Sequence, residues 1–182
     1  MIGPVRRASH DATDAERVTV HATCVVVGEA GVLLRGEAGA GKSSLALALI
    51  ERATLRGGFA ALVGDDRVRL ARCHGRVVAR PHPAIAGRIE IRGHGIVAVE
   101  SVEACVLRLV VDLVAGEPRL PDAPDGEATI LGIALPALRI DRAVREAGLA
   151  PGLVLAEQAL AELSVSSQSH TALPVDRTRA AP

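Results

Sequence analysis

The chain of 182 residues is long enough for one domain with a sizeable core and too short for two. Hydrophobic residues make up 49% of it, but Phe59 is the only aromatic, so the core is aliphatic and stacking platforms for single-stranded nucleic acid are disfavoured. Basic and acidic residues number 21 each, the formal net charge is zero and the arginines are spread along the chain, which argues against a global basic field for nucleic acid.

In chain order, residues 1–16 are polar, lack the apolar run of a signal peptide and are expected to be mobile. "VTVHATCVVVG" and "AGVLLRG" read as two strands joined by a hairpin turn. Apolar positions at 45, 47, 49 and 50 predict a helix from Ser43 to about Leu55, closed by Gly57-Gly58. "FAALVG" has the length of a buried strand and runs into Asp65-Asp66. "RVRLARCHGRVVAR" alternates around His74-Gly75 and predicts a second hairpin. "HPAIAGRIEIRGHGIVAVE" reads as a proline-led loop, a strand over 88–92, a glycine break and a further strand. "ACVLRLVVDLV" predicts another strand, and residues 116–128 a Pro/Asp/Gly loop. "GIALPALRID" is a late strand with Pro136 at an edge or a break. Short helices are expected over 141–147 and 151–163, with residues 164–182 as a disordered tail. These elements make a mixed α/β domain over 17–163 rather than an all-parallel wound sheet.

Three cysteines without C-x-x-C spacing give no disulfide framework or zinc site, and Cys24 and Cys105 read as small core hydrophobes. A reducing cytoplasm is therefore the expected compartment. The most apolar window, "CVLRLVVDLVAG", is broken by Arg108 and Asp112 and is too short and too charged to span a membrane.

The chemistry is concentrated in "GEAGAGKS", residues Gly36, Glu37, Ala38, Gly39, Ala40, Gly41, Lys42 and Ser43, followed by Ser44. It fits G-x-x-x-x-G-K-[ST] and lies between a strand and a helix, the setting of a P-loop (Walker A) that binds ATP. Glycines let backbone amides wrap phosphates, and the helix N-terminus adds partial positive charge. Lys42 is the only lysine of the chain. A compact ammonium suits that cradle better than a planar guanidinium. The Ser43 hydroxyl is a candidate Mg²⁺ ligand.

Asp65 and Asp66 follow the next strand. At a strand end both carboxylates can approach one site, one orienting metal and water, the other taking a proton from an attacking hydroxyl. Glu90 and Arg92 in "EIRG" share a strand face and suit Mg²⁺ and a phosphoryl oxygen, although the same spacing fits an exposed ion pair. Of six histidines, His21 alone sits in an apolar strand, while His74 and His82 read as turn or loop residues, His94, between two glycines, as exposed or near a ligand, and His10 and His170 as tail residues.

Taken in order, a His-bearing strand before the P-loop, the Asp-Asp pair after the helix and the Glu-Ile-Arg-Gly segment closely resemble the catalytic domain of bacterial HPr kinase/phosphorylase, over about residues 18–141. The resemblance implies an α/β P-loop kinase core with a mixed sheet and hairpins, similar to the phosphoenolpyruvate carboxykinase-like fold, commonly a hexamer. It implies transfer of the γ-phosphoryl of ATP, with Mg²⁺, to a serine of an HPr-like phosphocarrier of the sugar phosphotransferase system. In some members phosphorolysis reverses that step. Lys42 and Ser43 match the nucleotide and Mg²⁺ positions, Asp66 the catalytic Asp and Asp65 its partner. Glu90 matches a Mg²⁺ ligand and His21 an active-site His. No nucleic acid and no membrane are expected as partners.

The chain departs from the pattern in four places. The chain is expected to lack the N-terminal domain of longer members, as short forms of proteobacterial type do. The connection from helix to Asp65 is longer than usual, and His94 stands where an apolar residue is usual. Beyond Leu138 nothing clearly matches the loop linked with phosphorylase activity, though Arg139 is a candidate late arginine. Two other readings of the residues stay open: a small-molecule P-loop kinase, and a nucleotide-binding module without transfer.

Overall fold

The computed structural model describes residues 16–114, 125–141, 144 and 148–169. Eleven strands are ordered as β1 (Arg17–Val20), β2 (Thr23–Val27), β3 (Ala30–Gly36), β4 (Ala60–Gly64), β5 (Val68–Cys73), β6 (Arg76–Pro81), β7 (Arg88–Ile91), β8 (Gly95–Ala98), β9 (Cys105–Leu113), β10 (Asp125–Ile130) and β11 (Ile133–Ile140). Helix α1 spans Lys42–Leu55 and helix α2 spans Leu149–Ser169.

One mixed sheet takes nine strands along the path β1-β5-β6-β9-β3-β2-β4, with β11 also pairing β9 and β10 pairing β11. β9 runs parallel to β3 and to β11, whereas the hairpins β2–β3, β5–β6 and β10–β11 are antiparallel. β7 and β8 form a separate two-stranded hairpin. The outer edge of β4 is covered by residues 100–102, where Leu62 N donates to Glu100 O and Val102 N to Leu62 O, so no bare backbone edge remains there.

Strand alternation supplies two cores. Val32 and Leu34 of β3 face α1 and α2, together with Leu45, Ala46 and Leu49 of α1 and Leu153, Ala156 and Leu160 of α2. Leu33 faces the opposite side and meets Val68 and Leu70 of β5 and Val77 and Ala79 of β6, as the sheet curls over itself. Ion pairs from Arg52 (3.0 Å) and Arg56 (2.7 Å) to Glu157 join the two helices. Lying near the surface and partly open to solvent, each contributes about 1 kcal/mol or less.

Gly31 shows how tightly β3 meets β9. A Cβ there would stand 2.5 Å from Val106 O and 2.6 Å from Cys105 Sγ, beside a register shift between Gly31 and Val32. Cys24 Sγ lies 3.7 Å from Cys105 Sγ over the same gap, and burial raises the Cys24 thiol well above its ordinary range. Gly31→Ala is expected to destabilise the chain by about 1–3 kcal/mol through overpacking against backbone. A urea titration would show it as a lower midpoint at unchanged slope, and an unchanged midpoint would refute it.

Three local expectations are corrected. The run "VTVHATCVVV" is two strands, because β1 pairs with β5 and β2 with β3 and β4, and the chain breaks at His21 between those partners. The loop expected over 116–128 gives way at Asp125 to β10, a polar strand held by its hairpin partner rather than by its own pattern. Pro136 meets its expectation: it pairs with Glu127 of β10 and lies just before the stretch from Ala137 that pairs β9, so its other side is locally an edge. The last helix starts before residue 151 and continues to Ser169, into the segment expected as tail. The expected helix over 141–147 lies largely outside the described residues, as do residues 1–15 and 170–182.

Candidate functional site

β3 and β4 flank β2, both antiparallel to it, so they run the same way and end at one end of the sheet at Gly36 and Gly64, where the glycine loop and the two aspartates follow directly. Gly36, Gly39 and Gly41 take φ values of 145°, 79° and 93°, a region that L side chains rarely enter. The helix N-cap is Gly41, which brings no side-chain acceptor to the first turn, and that turn has no acidic residue. The positive end of α1 is therefore left for an external anion.

Lys42 is 7% exposed and is held by its own loop. Its Nζ donates to Gly36 O and Glu37 O, both at 2.9 Å, and lies 3.1 Å from His21 Nε2. An ammonium has three donors and no acceptor, so Nε2 accepts and the imidazole proton sits on Nδ1. That Nδ1 is 3.0 Å from Asp66 Oδ1, to which it donates. A line of polarity thus runs from Lys42 through His21 to Asp66. Burial pushes the Lys42 ammonium below its ordinary pKa, and Asp65 and Asp66 oppose that shift.

The two aspartates diverge because Asp66 takes φ 60°, a left-handed conformation that Asp tolerates better than most residues. Asp65 turns inward and is 6% exposed. It accepts from Thr23 Oγ1 at 2.6 Å, from Ser43 Oγ at 3.1 and 3.3 Å, and from Glu90 N at 3.1 Å. Asp66 keeps its carboxylate more than half exposed, within reach of solutes.

A cleft of about 380 Å³ joins these groups, with His21, Lys42, Ser43, Asp65 and Asp66 in its wall. Ala38, Gly39, Gly41 and Ser44 of the loop line it too, and Glu90 and Arg92 close it from the β7–β8 hairpin. Arg92 lies over the loop: a Cβ at Gly39 would stand 2.6 Å from its Nη2. Gly39→Ala is expected to displace the guanidinium and strain the loop. Affinity of the loop for a polyphosphate probe should fall at least about tenfold; calorimetric titration showing native affinity would contradict this.

Most sequence-named residues are therefore brought together. Gly36 and Glu37 contribute carbonyls to Lys42, and Ala40 is buried beneath the loop. His94 sits at the β7–β8 turn, donating its backbone N–H to Ile91 O, and is exposed outside the cleft. Arg139 is also outside it, aligned on β11 with Asp112 of β9, which pairs bidentately with Arg35 at 2.7 Å. Thr23 was not singled out in the sequence; its only signal is a hydroxyl in the apolar run after His21.

Oxygen donors of Ser43, Asp65 and Glu90 line the cleft beside Asp66, without sulfur. Such a set fits Mg²⁺, which keeps waters and phosphate oxygens as its other ligands. Among the described residues no group of three or more His, Cys, Asp or Glu is arranged to hold a metal alone. No helix there is long and apolar enough to cross a membrane.

Comparison with known proteins places the chain in a family. The family model "HPr Serine kinase C-terminal domain" matches residues 13–120. An HPr kinase/phosphorylase of Mycoplasma mycoides is 40% identical over 76 residues, 42% of this chain and 22% of that one. The Aromatoleum aromaticum HPr kinase/phosphorylase is 38% identical over 119 residues, 61% of this chain and 35% of that one. The solved structure of the Hpr(Ser) kinase/phosphatase from Coxiella burnetii aligns with a TM-score of 0.61 at 29% identity, covering 80% of this chain and 99% of that one. The α/β fold with its mixed sheet is thus that of an HPr kinase structure. The chain belongs to the HPr serine kinase C-terminal domain family. It spans 22% and 35% of the lengths of those two curated relatives.

Proposed function

We propose that this chain is an ATP- and Mg²⁺-dependent protein-serine kinase acting on an HPr-type phosphocarrier. The carrying observation is the line Lys42–His21–Asp66, which joins a phosphate-suited glycine loop to an exposed carboxylate within one cleft.

In this reading the core is a P-loop kinase of phosphoenolpyruvate carboxykinase-like type. The loop amides, the N-terminus of α1 and Lys42 bind the ATP phosphates. Ser43 and Glu90 hold Mg²⁺, with Asp65 fixing the Ser43 hydroxyl. When bound, the ion neutralises phosphate charge and aligns the γ-phosphoryl group. Asp66 takes the proton of the acceptor serine as its oxygen bonds to the γ-phosphorus and the bond to ADP breaks. His21 orients Asp66 through its Nδ1–H and keeps it an acceptor. Arg92, over the loop, stabilises a phosphoryl oxygen. For phosphorolysis the same carboxyl returns the proton to the serine oxygen as phosphate takes the phosphoryl group and pyrophosphate leaves. Assembly as a homo-oligomer, a hexamer by family resemblance, and a cytoplasmic setting complete the proposal.

The test is incubation with ATP, Mg²⁺ and HPr-type carriers of the same genome, read by mass spectrometry. A phosphoryl group on a seryl side chain is expected. ATP binding without transfer to any carrier would overturn the kinase reading and leave a nucleotide-binding module. Transfer to a metabolite alone would favour the small-molecule kinase.

A further inference from the structure

The arginines that look scattered in sequence are gathered by strand register. On β1, β5 and β6, Val68, Leu70, Val77 and Ala79 point into the core, so the alternate residues share the outer face. Register sets Thr19 beside Arg69 and Arg69 beside Arg80, Arg17 beside Ala71, and Arg76 beside Cys73. Arg17, Arg69, Arg76 and Arg80 are all exposed, and the three strands contain no Asp or Glu. Among the described residues none of these four guanidinia has a carboxylate within ion-pair distance. Arg69 and Arg80 are directly opposed like charges, an arrangement that costs stability and that a neutral chain has no folding reason to adopt.

This face leads into a second cleft. It is about 460 Å³ and is lined by Thr19, Val20, His21, Asp66, Arg67 and His82. His21 and Asp66 also line the nucleotide cleft, so the exposed carboxylate stands between the two. His82 Nδ1 accepts from Ala84 N at 3.4 Å, so the neutral ring presents Nε2–H as a donor. Arg67, 63% exposed, holds its Nε 3.8 Å from Asp66 Oδ2. In-line transfer needs nucleotide and acceptor on opposite sides of the moving phosphoryl group, and the second cleft, sharing only His21 and Asp66 with the first, gives a separate approach to that carboxylate.

We propose that the outer face of β1, β5 and β6 is the docking surface for the acceptor, a protein with clustered carboxylates beside its accepting hydroxyl, which enters the cleft of Arg67 and His82. The inference rests on the kinase reading above. A second copy of this chain would bring like charge against like. A nucleic acid would find no aromatic residue on these strands to stack on, and would gain nothing from the adjoining carboxylate. Carboxylates opposite four arginines would steer encounter and fix orientation, an effect that salt weakens.

The test is Arg69→Glu/Arg76→Glu, exposed positions outside the catalytic line. Arg69→Glu also gives Arg80 an opposite charge, so the fold should hold. With an HPr-type carrier as substrate, its KM is expected to rise at least about tenfold, with kcat and the KM for ATP within about twofold. Added NaCl should raise the wild-type KM and affect the variant less. An unchanged carrier KM overturns the proposal. So does tighter binding of a DNA duplex than of the carrier by the wild type. If the wild type transfers to no carrier, the kinase reading fails separately. Titration of the carrier onto Asp66→Asn then decides the surface: arginine-dependent binding supports it, and none overturns it.

Discussion

Asp66→Asn is expected to lower phosphoryl transfer by about a thousandfold, within the usual range for loss of a general base. The substitution keeps shape, and its amide oxygen still accepts from His21 Nδ1, 3.0 Å away in the native protein. Asn also tolerates the φ of 60° at this position. Nothing in the glycine loop bonds to Asp66, so nucleotide affinity should stay within about twofold and the melting temperature should hardly move. Single-turnover transfer, ATP titration and a thermal melt on one preparation check all three. A parallel loss of ATP affinity would make Asp66 a nucleotide-positioning group and remove it as the base.

Asp65→Ala is expected to act on stability first. Its carboxylate is buried and is the acceptor for Thr23 Oγ1, Ser43 Oγ and Glu90 N. Thr23 Oγ1 would be left buried without its partner, whereas Ser43 Oγ and Glu90 N lie nearer to solvent, so a loss of about 1–3 kcal/mol is expected, a sizeable part of a typical domain's stability. Thr23→Val removes one of those donors. In the double variant the loss should therefore be smaller than the sum of the singles. Additive losses, or Asp65→Ala melting like wild type, would mean that Asp65 does not hold the site together. At temperatures where the variant stays folded, transfer should still be impaired, because the Ser43 hydroxyl and the backbone of Glu90 lose their common anchor.

Some of this was legible in the sequence because it is governed locally. The glycine loop is one such case, since positive φ at Gly36, Gly39 and Gly41 is a requirement on those residues alone. The α1 stripe and the alternation of β5 and β6 follow from periods of about 3.6 and 2 residues. The hairpin at His74-Gly75 follows from turn chemistry, with φ 49° and 72° at those residues. The family also follows, because its signature is an order of short segments along the chain.

What depends on partners distant in sequence was not legible. The break at His21 is set by the different neighbours of β1 and β2, and β10 exists because β11 pairs with it. The different fates of Asp65 and Asp66 come from a backbone conformation and from Thr23, 42 residues away. The basic face is the clearest case: arginines spaced through the sequence become neighbours only through cross-strand register. Residue types and the order of short segments were thus enough to name the family. Which side chain is buried, which is exposed and which charges stand together was decided by tertiary pairing, because hydrogen-bond partners and local fields depend on proximity in space rather than along the chain.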